Sequence, residues 1–362
     1  MFNNFHQQKE LISRFPNVSF GRFQVWQLSP HEIDEMLRSG WFRTDRHVVT
    51  SFGRYVDNQW KPVVMLRVVV KDYKWKKSLR KILRRNCSQF EVRIRPFVPR
   101  NEVEDLWQSF KRMIHKWNVV PNLANHLFKG IDTSSFQTYE VGVYDRGKLI
   151  AFSLFDRGHT SIASLEAAYD FGYRKFSLGL FTMLMELQYC IENELDHYYP
   201  GFYAKNSSMF QYKLRPGNVE FYHYLQGTWR PWNELKPEDW ILEGLFDNLK
   251  KVDFKLKEMG FQSAVKAFKK LNLPRYEFAL SNYEFLVVGE SEKEGLDKLF
   301  IQVAWDPYHN KFVLFANRSL YAENQTTSDS FVPFQLMGVY TDLSELKSGI
   351  ENLRGKSTDS NP

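Results

Sequence analysis

Two cysteines, Cys87 and Cys190, are too few for a disulfide framework, and their wide separation excludes a CxxC redox or metal pair. None of the nine histidines stands in an HxxxH or HExxH pair, so no dedicated zinc site is expected. No window of about 18 consecutive apolar residues occurs, which argues against a membrane-spanning helix. The opening Met1-Phe2-Asn3-Asn4-Phe5-His6 lacks a basic segment leading into an apolar one, so a secretory signal is not expected and the reading is cytoplasmic. Neither a Ser-His-Asp nor a Cys-His constellation is visible.

Apolar residues make up 43% of the chain and aromatics 16%, enough for a substantial core, and 362 residues leave room for two or three domains. Charge is unevenly spread. Between Lys71 and Asn86 stand Lys71, Lys74, Lys76, Lys77, Arg80, Lys81, Arg84 and Arg85 against Asp72 alone, a net of +7 that equals the net charge of the whole chain. A helix over 74–86 puts Trp75, Leu79, Ile82 and Leu83 on one arc, with Lys76, Lys77, Arg80, Lys81, Arg84 and Arg85 on the other. A long charge run is often only a solvated face. Gathering the entire net charge on one helix points instead to a polyanionic partner held by counterion release, and the short apolar arc argues against a membrane surface.

The middle of the chain reads as three strands, a helix and a strand. Tyr139–Tyr144 and Lys148–Phe155 flank a hairpin turn at Asp145-Arg146-Gly147, and Ser161–Tyr169 adds a third strand. From Ser177 to Leu195 the apolar residues Leu178, Phe181, Leu184, Met185, Tyr189, Cys190 and Ile191 recur at helical spacing. Ser177 is placed to cap that helix, and Thr182, Glu186 and Asn193 form a narrow polar stripe that puts Glu186 at a solvent-facing edge. Tyr198–Tyr203 returns to strand character. This succession is that of an α+β, GNAT-like acyltransferase core, whose helix N-terminus offers free N–H groups to phosphate or acyl oxygens.

Tyr169-Asp170-x-x-Tyr173-x-x-x-Ser177-Leu178-Gly179, Tyr199-x-Gly201-Phe202-Tyr203, Tyr212-Lys213, Arg215-Pro216 and Trp229-x-Pro231 together resemble the arginyl-tRNA-protein transferases and the bacterial aspartate/glutamate leucyltransferases. The likeness extends more loosely to Leu37-x-x-Gly40-Trp41-Phe42-Arg43 and Ser78-x-Arg80-x-x-x-Arg84-Arg85-Asn86, covering roughly residues 25 to 232. It implies transfer of an amino acid from aminoacyl-tRNA to the N-terminal amine of an acceptor protein, a mark for degradation under the N-end rule. It implies aminoacyl-tRNA as co-substrate, with no cofactor, and acceptor proteins or peptides with a free N-terminus as partners. The chain departs from the pattern in several places. The N-terminal cysteine cluster of relatives is absent at Asn58-Gln59-Trp60-Lys61-Pro62, so no metal or iron-sulfur site carries over. Phe171 replaces a common Pro, Met209-Phe210 stands where Lys-Met is usual, and Lys213 to Arg215 is about two residues short.

Attack of an amine on an ester needs alignment of two substrates, removal of a proton from an amine of pKa about 8, and stabilisation of an oxyanion. A nucleophilic triad is not required. Asp170, Glu186 and Tyr212 are the candidate catalytic residues; the bland alternatives are a turn-forming Asp, a surface Glu and a packed Tyr. Tyr169, Ser177, Leu178, Gly179, Tyr203, Lys213 and Arg215 are the candidates for binding the aminoacyl group or the acceptor. Lys213 and Arg215 suit an acidic acceptor side chain or the acceptor-stem backbone. A rival enzyme reading, an acyl-CoA-dependent N-acyltransferase, lacks its usual Gly-rich pyrophosphate loop before Ser177; a second rival is a non-catalytic binder of tRNA or protein N-termini.

Elsewhere, Ser29-Pro30-His31-Glu32 predicts a capped helix ending at Ser39-Gly40, Arg46–Thr50 and Val63–Val70 strands, and Glu91–Phe97 another strand. Glu102–Trp117 predicts a helix with Val103, Leu106, Trp107, Phe110, Ile114 and Trp117 in the core. The expected domains are residues 1–100, an N-terminal α+β domain with the basic helix; 101–235, the GNAT-like domain; and 236–355, an α+β appendage, before a disordered tail at 356–362. Within the appendage Pro237–Leu271 reads as two lysine-rich helices broken near Gly260. Strands at Tyr283–Val288, Leu299–Trp305 and Lys311–Ala316 and a helix at Asp342–Leu353 follow.

Overall fold

A computed structural model describes residues 20–56, 59–115, 121–267, 285–291, 299–317 and 335–355. The fold is mixed α+β, and it divides into two compact units, one running from Arg22 to Lys236 and the other from Pro237 onward.

In the first unit, helix α1 (Pro30–Arg38) begins with the predicted capping box. Ser29 Oγ accepts from Glu32 N, and the Glu32 carboxylate accepts from Ser29 N at 2.7 Å. Gly40 follows at φ +77°, in a position where a Cβ would collide with the Tyr222 ring. Phe42–Arg43 (β1) and His47–Ser51 (β2) pair antiparallel. Arg43 is fully buried, with Nη2 2.9 Å from Asp156 Oδ1 and Nη1 donating to the Asp45 carbonyl at 2.7 Å. That part of the family-like signature is a structural hub.

Next come Gly53–Val56 (β3), Gln59–Val69 (β4), helix α2 (Lys77–Cys87), Glu91–Pro96 (β5) and helices α3 (Asn101–His115) and α4 (Leu123–Phe128). The meander follows as Thr138–Asp145 (β6), Lys148–Arg157 (β7) and Ser161–Tyr169 (β8), then helix α5 (Leu178–Glu192), His197–Ala204 (β9), Val219–His223 (β10) and Thr228–Pro231 (β11). The β6–β7 turn has Arg146 at φ 48° and Gly147 at φ 82°, the paired positive angles of a type I′ turn. A nine-stranded sheet unites them in the order β11-β10-β4-β9-β8-β7-β6-β5, with β3 added on β4, so strands from both sides of residue 100 share it.

Helix α5 packs on β7 and β8 from one face and α3 covers the same strands from the other. The apolar core beneath α5 includes Phe90, Val143, Ile150, Leu178 and Phe181, with Ile82 and Leu83 of α2 packed against it. One expectation for α3 fails: Val103 and Trp107 are buried, but Ile114 is 39% exposed, because the helix reaches past the sheet at its C-terminal end.

Strands β8 and β9 run parallel but pair only over Ser161–Ala163 against His197–Tyr199. Pro200 has no N–H to give the ladder, and Gly201 sits at φ +85°. From Gly201 on, β9 pairs with β4 alone, while β8 stays with β7. A wedge opens between Ser164–Tyr169 and Gly201–Ala204. A bulge sharpens it: Ser164 pairs with Phe155 but Glu166 pairs with Leu154, so Leu165 is extra and Ser164 and Glu166 face opposite sides of the sheet.

The second unit begins with α6 (Ile241–Glu258), whose Leu242, Leu245, Leu249, Val252 and Leu256 are buried. Phe261–Ala267 (β12), Phe285–Ser291 (β13), Phe300–Asp306 (β14), Lys311–Asn317 (β15) and Gln335–Tyr340 (β16) form an antiparallel sheet in sequential order, and α7 (Leu343–Gly355) follows. The second lysine-rich helix expected after Gly260 is therefore a strand. Gly260 at φ +75° stops α6, and cross-strand pairing of Phe261–Ala267 with Phe285–Ser291 overrides the helix propensity of Ala and Lys. Strand β16 was not expected. Residues 268–271 of the predicted helix, Trp117 and the tail 356–362 lie outside the described residues. No helix among the described residues is long and apolar enough to cross a membrane.

Candidate active site

The wedge between β8 and β9 brings together three titratable groups displaced from their usual ranges, Glu186, Lys213 and Tyr212. Glu186, on the third turn of α5, is fully buried. Tyr198 donates its hydroxyl to Oε2 at 2.7 Å, and Ser164 donates to Oε1 at 3.4 Å. Burial pushes the Glu186 carboxyl up to about 7, with these hydrogen bonds and the charge of Lys213 pulling back toward ionisation. The expected solvent-facing position is thus wrong. Apolar residues surround almost all of α5, and its polar stripe turns inward: Thr182 is buried as well, and Asn193 only caps the exposed C-terminus.

Lys213 comes from the 3₁₀ segment Ser208–Leu214 that follows β9. Its Nζ donates to the Phe202 carbonyl at 3.0 Å and lies 5.1 Å from the centre of the Phe210 ring. Desolvation of the ammonium end and the neighbouring Arg54 bring its pKa down to about 7, against the opposing pull of Glu186 and Glu166. Tyr212 is 37% exposed overall, but its hydroxyl end is desolvated, and this together with the two carboxylates raises the phenol to about 12. Glu186 from one face and Glu166 from the other therefore both act on Tyr212 and Lys213.

Glu166 was missed in the sequence, as were its partners. Lys111 Nζ of α3 lies 3.2 Å away and His126 Nε2 of α4 3.6 Å away. Burial opposes ionisation of Glu166, yet the His126 hydrogen bond and the Lys111 charge hold its carboxyl below the usual range. A carboxylate inside the small-residue strand Ser161–Tyr169 was the available signal. Arg54 on β3, half-buried with its guanidinium 4.5 Å from the centre of the Phe202 ring, carried none.

The remaining expected site residues lie at the head of α5 or on the rim. Asp170 takes Lys148 Nζ on Oδ2 at 2.9 Å and Gly172 N on Oδ1 at 2.9 Å, and the Lys148 hydrogen bond holds its carboxyl low. Ser177 does not cap α5 with its side chain as predicted. It adopts φ 56°, ψ 46°, a left-handed conformation that costs a non-glycine residue about 1 kcal/mol. The N–H groups of Leu178 and Gly179 consequently donate to no side chain among the described residues. Leu178 itself is core, and Gly179 lies 3.5 Å from the Tyr169 ring, measured to an ideal Cβ. Tyr169 packs on Phe110 at 5.0 Å, and Tyr203 meets Trp232 edge-on at 5.0 Å. Arg215 is exposed.

Lys76, Lys77, Arg80, Lys81, Arg84 and Arg85 are all exposed. Their helix is tied to the site at both ends. Lys76 Nζ donates to the Arg215 carbonyl at 3.1 Å and Tyr73 to the Pro216 carbonyl at 2.9 Å. At the other end, Arg85 Nη2 and the buried Asn86 Nδ2 donate to the Phe176 carbonyl, immediately before Ser177, at 2.9 and 3.0 Å. The cationic surface thus runs from the Tyr212-Lys213 segment to the head of α5.

Residues 102–222 match the sequence family described as Arginine-tRNA-protein transferase, C terminus. That stretch carries the domain of the family, and the chain is distantly similar to the bacterial aspartate/glutamate leucyltransferases. The aspartate/glutamate leucyltransferase of Campylobacter jejuni (strain RM1221) is 27% identical over 190 residues, which is 51% of this chain and 77% of that one. The enzyme of the same name from Helicobacter hepaticus is 21% identical over 218 residues, covering 58% of this chain and 88% of that one. Among solved structures, that of FemX aligns with 59% of this chain and 72% of its own at 7% identity and a TM-score of 0.35. The family match spans the wedge, α5, Lys213 and Tyr212, whereas helix α2 precedes it and the second unit follows it.

Proposed function

We propose that this protein transfers an amino acid from aminoacyl-tRNA to the N-terminal α-amine of an acceptor polypeptide. The observation that carries the reading is the attachment of the cationic helix α2 to both rims of a wedge that buries a near-neutral carboxylate. On this account Lys77, Arg80, Lys81 and Arg84 hold RNA phosphates. The esterified end enters beside the open N–H groups of Leu178 and Gly179.

The incoming ammonium loses a proton to Glu186, whose pKa of about 7 lies within about one unit of an α-amine, so transfer is nearly balanced. The amine nitrogen then attacks the ester carbonyl. Lys213, in its ammonium form, offers its charge to the oxyanion. The carbon–oxygen bond to the ribose then breaks, the ribose oxygen takes the proton held by Glu186, and the second proton of the attacking nitrogen passes to solvent, leaving the amide N–H. Tyr212 keeps its phenolic proton throughout the neutral range and acts as a hydrogen-bond donor. Asp170 is a proposed orienting group at the mouth, through Lys148 and the 3₁₀ turn before Ser177.

The direct test incubates purified protein with a mixture of radiolabelled aminoacyl-tRNAs and peptides that begin with Asp, Glu, Arg or Lys. Label in peptide, dependent on both components, is the expected result and identifies donor and acceptor together. Tight binding of charged tRNA with no transfer would leave a binding module instead.

A further inference from the structure

A cavity of about 510 Å³ lies beyond the C-terminal end of α2, beside the 3₁₀ turn that leads into α5. Three segments line it: Gln89-Phe90-Glu91, the hairpin turn Tyr144–Gly147, and Gly172–Phe176 of the 3₁₀ turn. Its volume is within the range of pockets that enclose a small organic ligand.

The lining combines three kinds of group. Tyr173 and Phe176 are half-buried aromatic rings, set edge-on to Phe90 at 5.9 and 5.0 Å. Asp145 and Glu91 supply carboxylate acceptors; Asp145 takes Tyr173 Oη at 2.8 Å, and Glu91 takes Arg93 Nε at 2.7 Å and Nη2 at 2.9 Å, one on each oxygen, which leaves further lone pairs on both groups. Arg146 and Lys175 are exposed on the rim and make no ion pair among the described residues; Lys175 lies 5.1 Å from the Phe176 ring centre. Rings, carboxylates that accept from exocyclic amino groups, and rim cations for phosphate are together the requirements of a single unstacked nucleotide.

Position favours the same ligand. Gln89 and Phe90 follow α2 almost directly, and Arg85 lies over Phe176 at 5.4 Å, so the cationic surface leads into the cavity without a break. Helix α2 is about 16 Å long, the reach of two or three nucleotides of extended single strand. We propose that this cavity receives one unpaired nucleotide of a bound RNA strand, held by Arg146 and Lys175 at its phosphate and by Asp145 and Glu91 at its base. The proposal rests on the aminoacyl-tRNA reading above.

The test measures fluorescence anisotropy of labelled tRNA with the full chain, using intact tRNA, the same tRNA trimmed of its single-stranded 3′ end, and the four mononucleotides. In the Arg146→Glu/Lys175→Glu variant, affinity for intact tRNA should fall about tenfold at 0.1 M salt while affinity for trimmed tRNA stays within twofold. Asp145→Asn should alter the ranking of tRNAs that differ only in an unpaired base, and an unaltered ranking would overturn the assignment of Asp145 to the base. An equal loss for both RNAs would assign the rim cations to duplex backbone, and no loss for either would empty the cavity of RNA; both overturn the proposal. Mononucleotide binding that the double variant abolishes, without an effect on tRNA, would assign the cavity to free nucleotide and overturn it too. Failure of the unmodified chain to bind either RNA would instead sink the aminoacyl-tRNA reading itself, and the cavity proposal with it.

Discussion

The two ends of the first half of α5 handle a carboxylate in opposite ways. At the head, Asp170 is partly exposed and bound by Lys148 and the Gly172 amide, which fixes it as an anion. Two turns on, Glu186 is buried among hydroxyls and faces Lys213 only through longer-range attraction, which leaves its proton poised near neutrality. A carboxylate already satisfied by a cation and a backbone donor is a poor base; one desolvated beside neutral donors is a competent one. On the proposed function, environment therefore suits Glu186 to the proton-transfer role and leaves Asp170 shaping the turn.

Substitutions that exchange only charge put this contrast to the sharpest test. Glu186→Gln should lower the single-turnover rate of aminoacyl transfer by about 100-fold or more, whereas Asp170→Asn should lower it less than about fivefold. Comparable losses in the two variants would erase the distinction. Next in size is the cationic helix. Reversing Lys77, Lys81 and Arg84 to Glu should weaken tRNA binding more than tenfold and reduce the slope of log K against log salt by about three, with no change in the thermal transition. An unaltered slope would mean that α2 faces something other than RNA.

Stability gives a third contrast. Because folding raises the Glu186 pKa from 4.5 to about 7, the native state favours the protonated acid. The associated stability is full below pH 4.5 and is lost as pH rises through about 7. Chemical denaturation of Glu186→Gln across that interval should show a flatter dependence on pH than the parent chain. For Asp170, whose pKa is lowered, the sign reverses: its contribution is present above the ordinary value of 3.8 and fades as the solution is acidified below it. The smallest effect belongs to the α5 head, where Ser177→Gly should raise stability by up to about 1 kcal/mol by relieving the left-handed backbone. A loss of stability there would show that the Ser177 side chain has a partner of its own.

The same contrast shows what could be read from the chain and what could not. The α1 capping box, the β6–β7 turn and the strand-strand-strand-helix-strand succession rest on local chemistry, and residues within a few positions of one another determine them. The direction of Glu186 does not. Apolar residues encircle α5 almost completely, so spacing alone leaves two orientations for its thin polar stripe, and packing on the sheet selects the inward one. Glu166, Lys111 and His126 meet only because three elements cross at the wedge, and the Leu165 bulge that turns Glu166 away from Ser164 leaves no mark in the strand pattern. Pro200-Gly201 was visible, but its effect of splitting two parallel strands depends on β4 holding β9 by its opposite edge on both sides of the break.

The account is tested most directly by the pH dependence of single-turnover transfer to a peptide acceptor, with charged tRNA saturating. The parent chain should show a rate that rises as Glu186 ionises near about 7 and falls again as Lys213, also near about 7, loses its charge, and Glu186→Gln should lose the rising limb while still binding charged tRNA. A variant that retained both the rate and the limb would show that the buried carboxylate takes no proton from the amine.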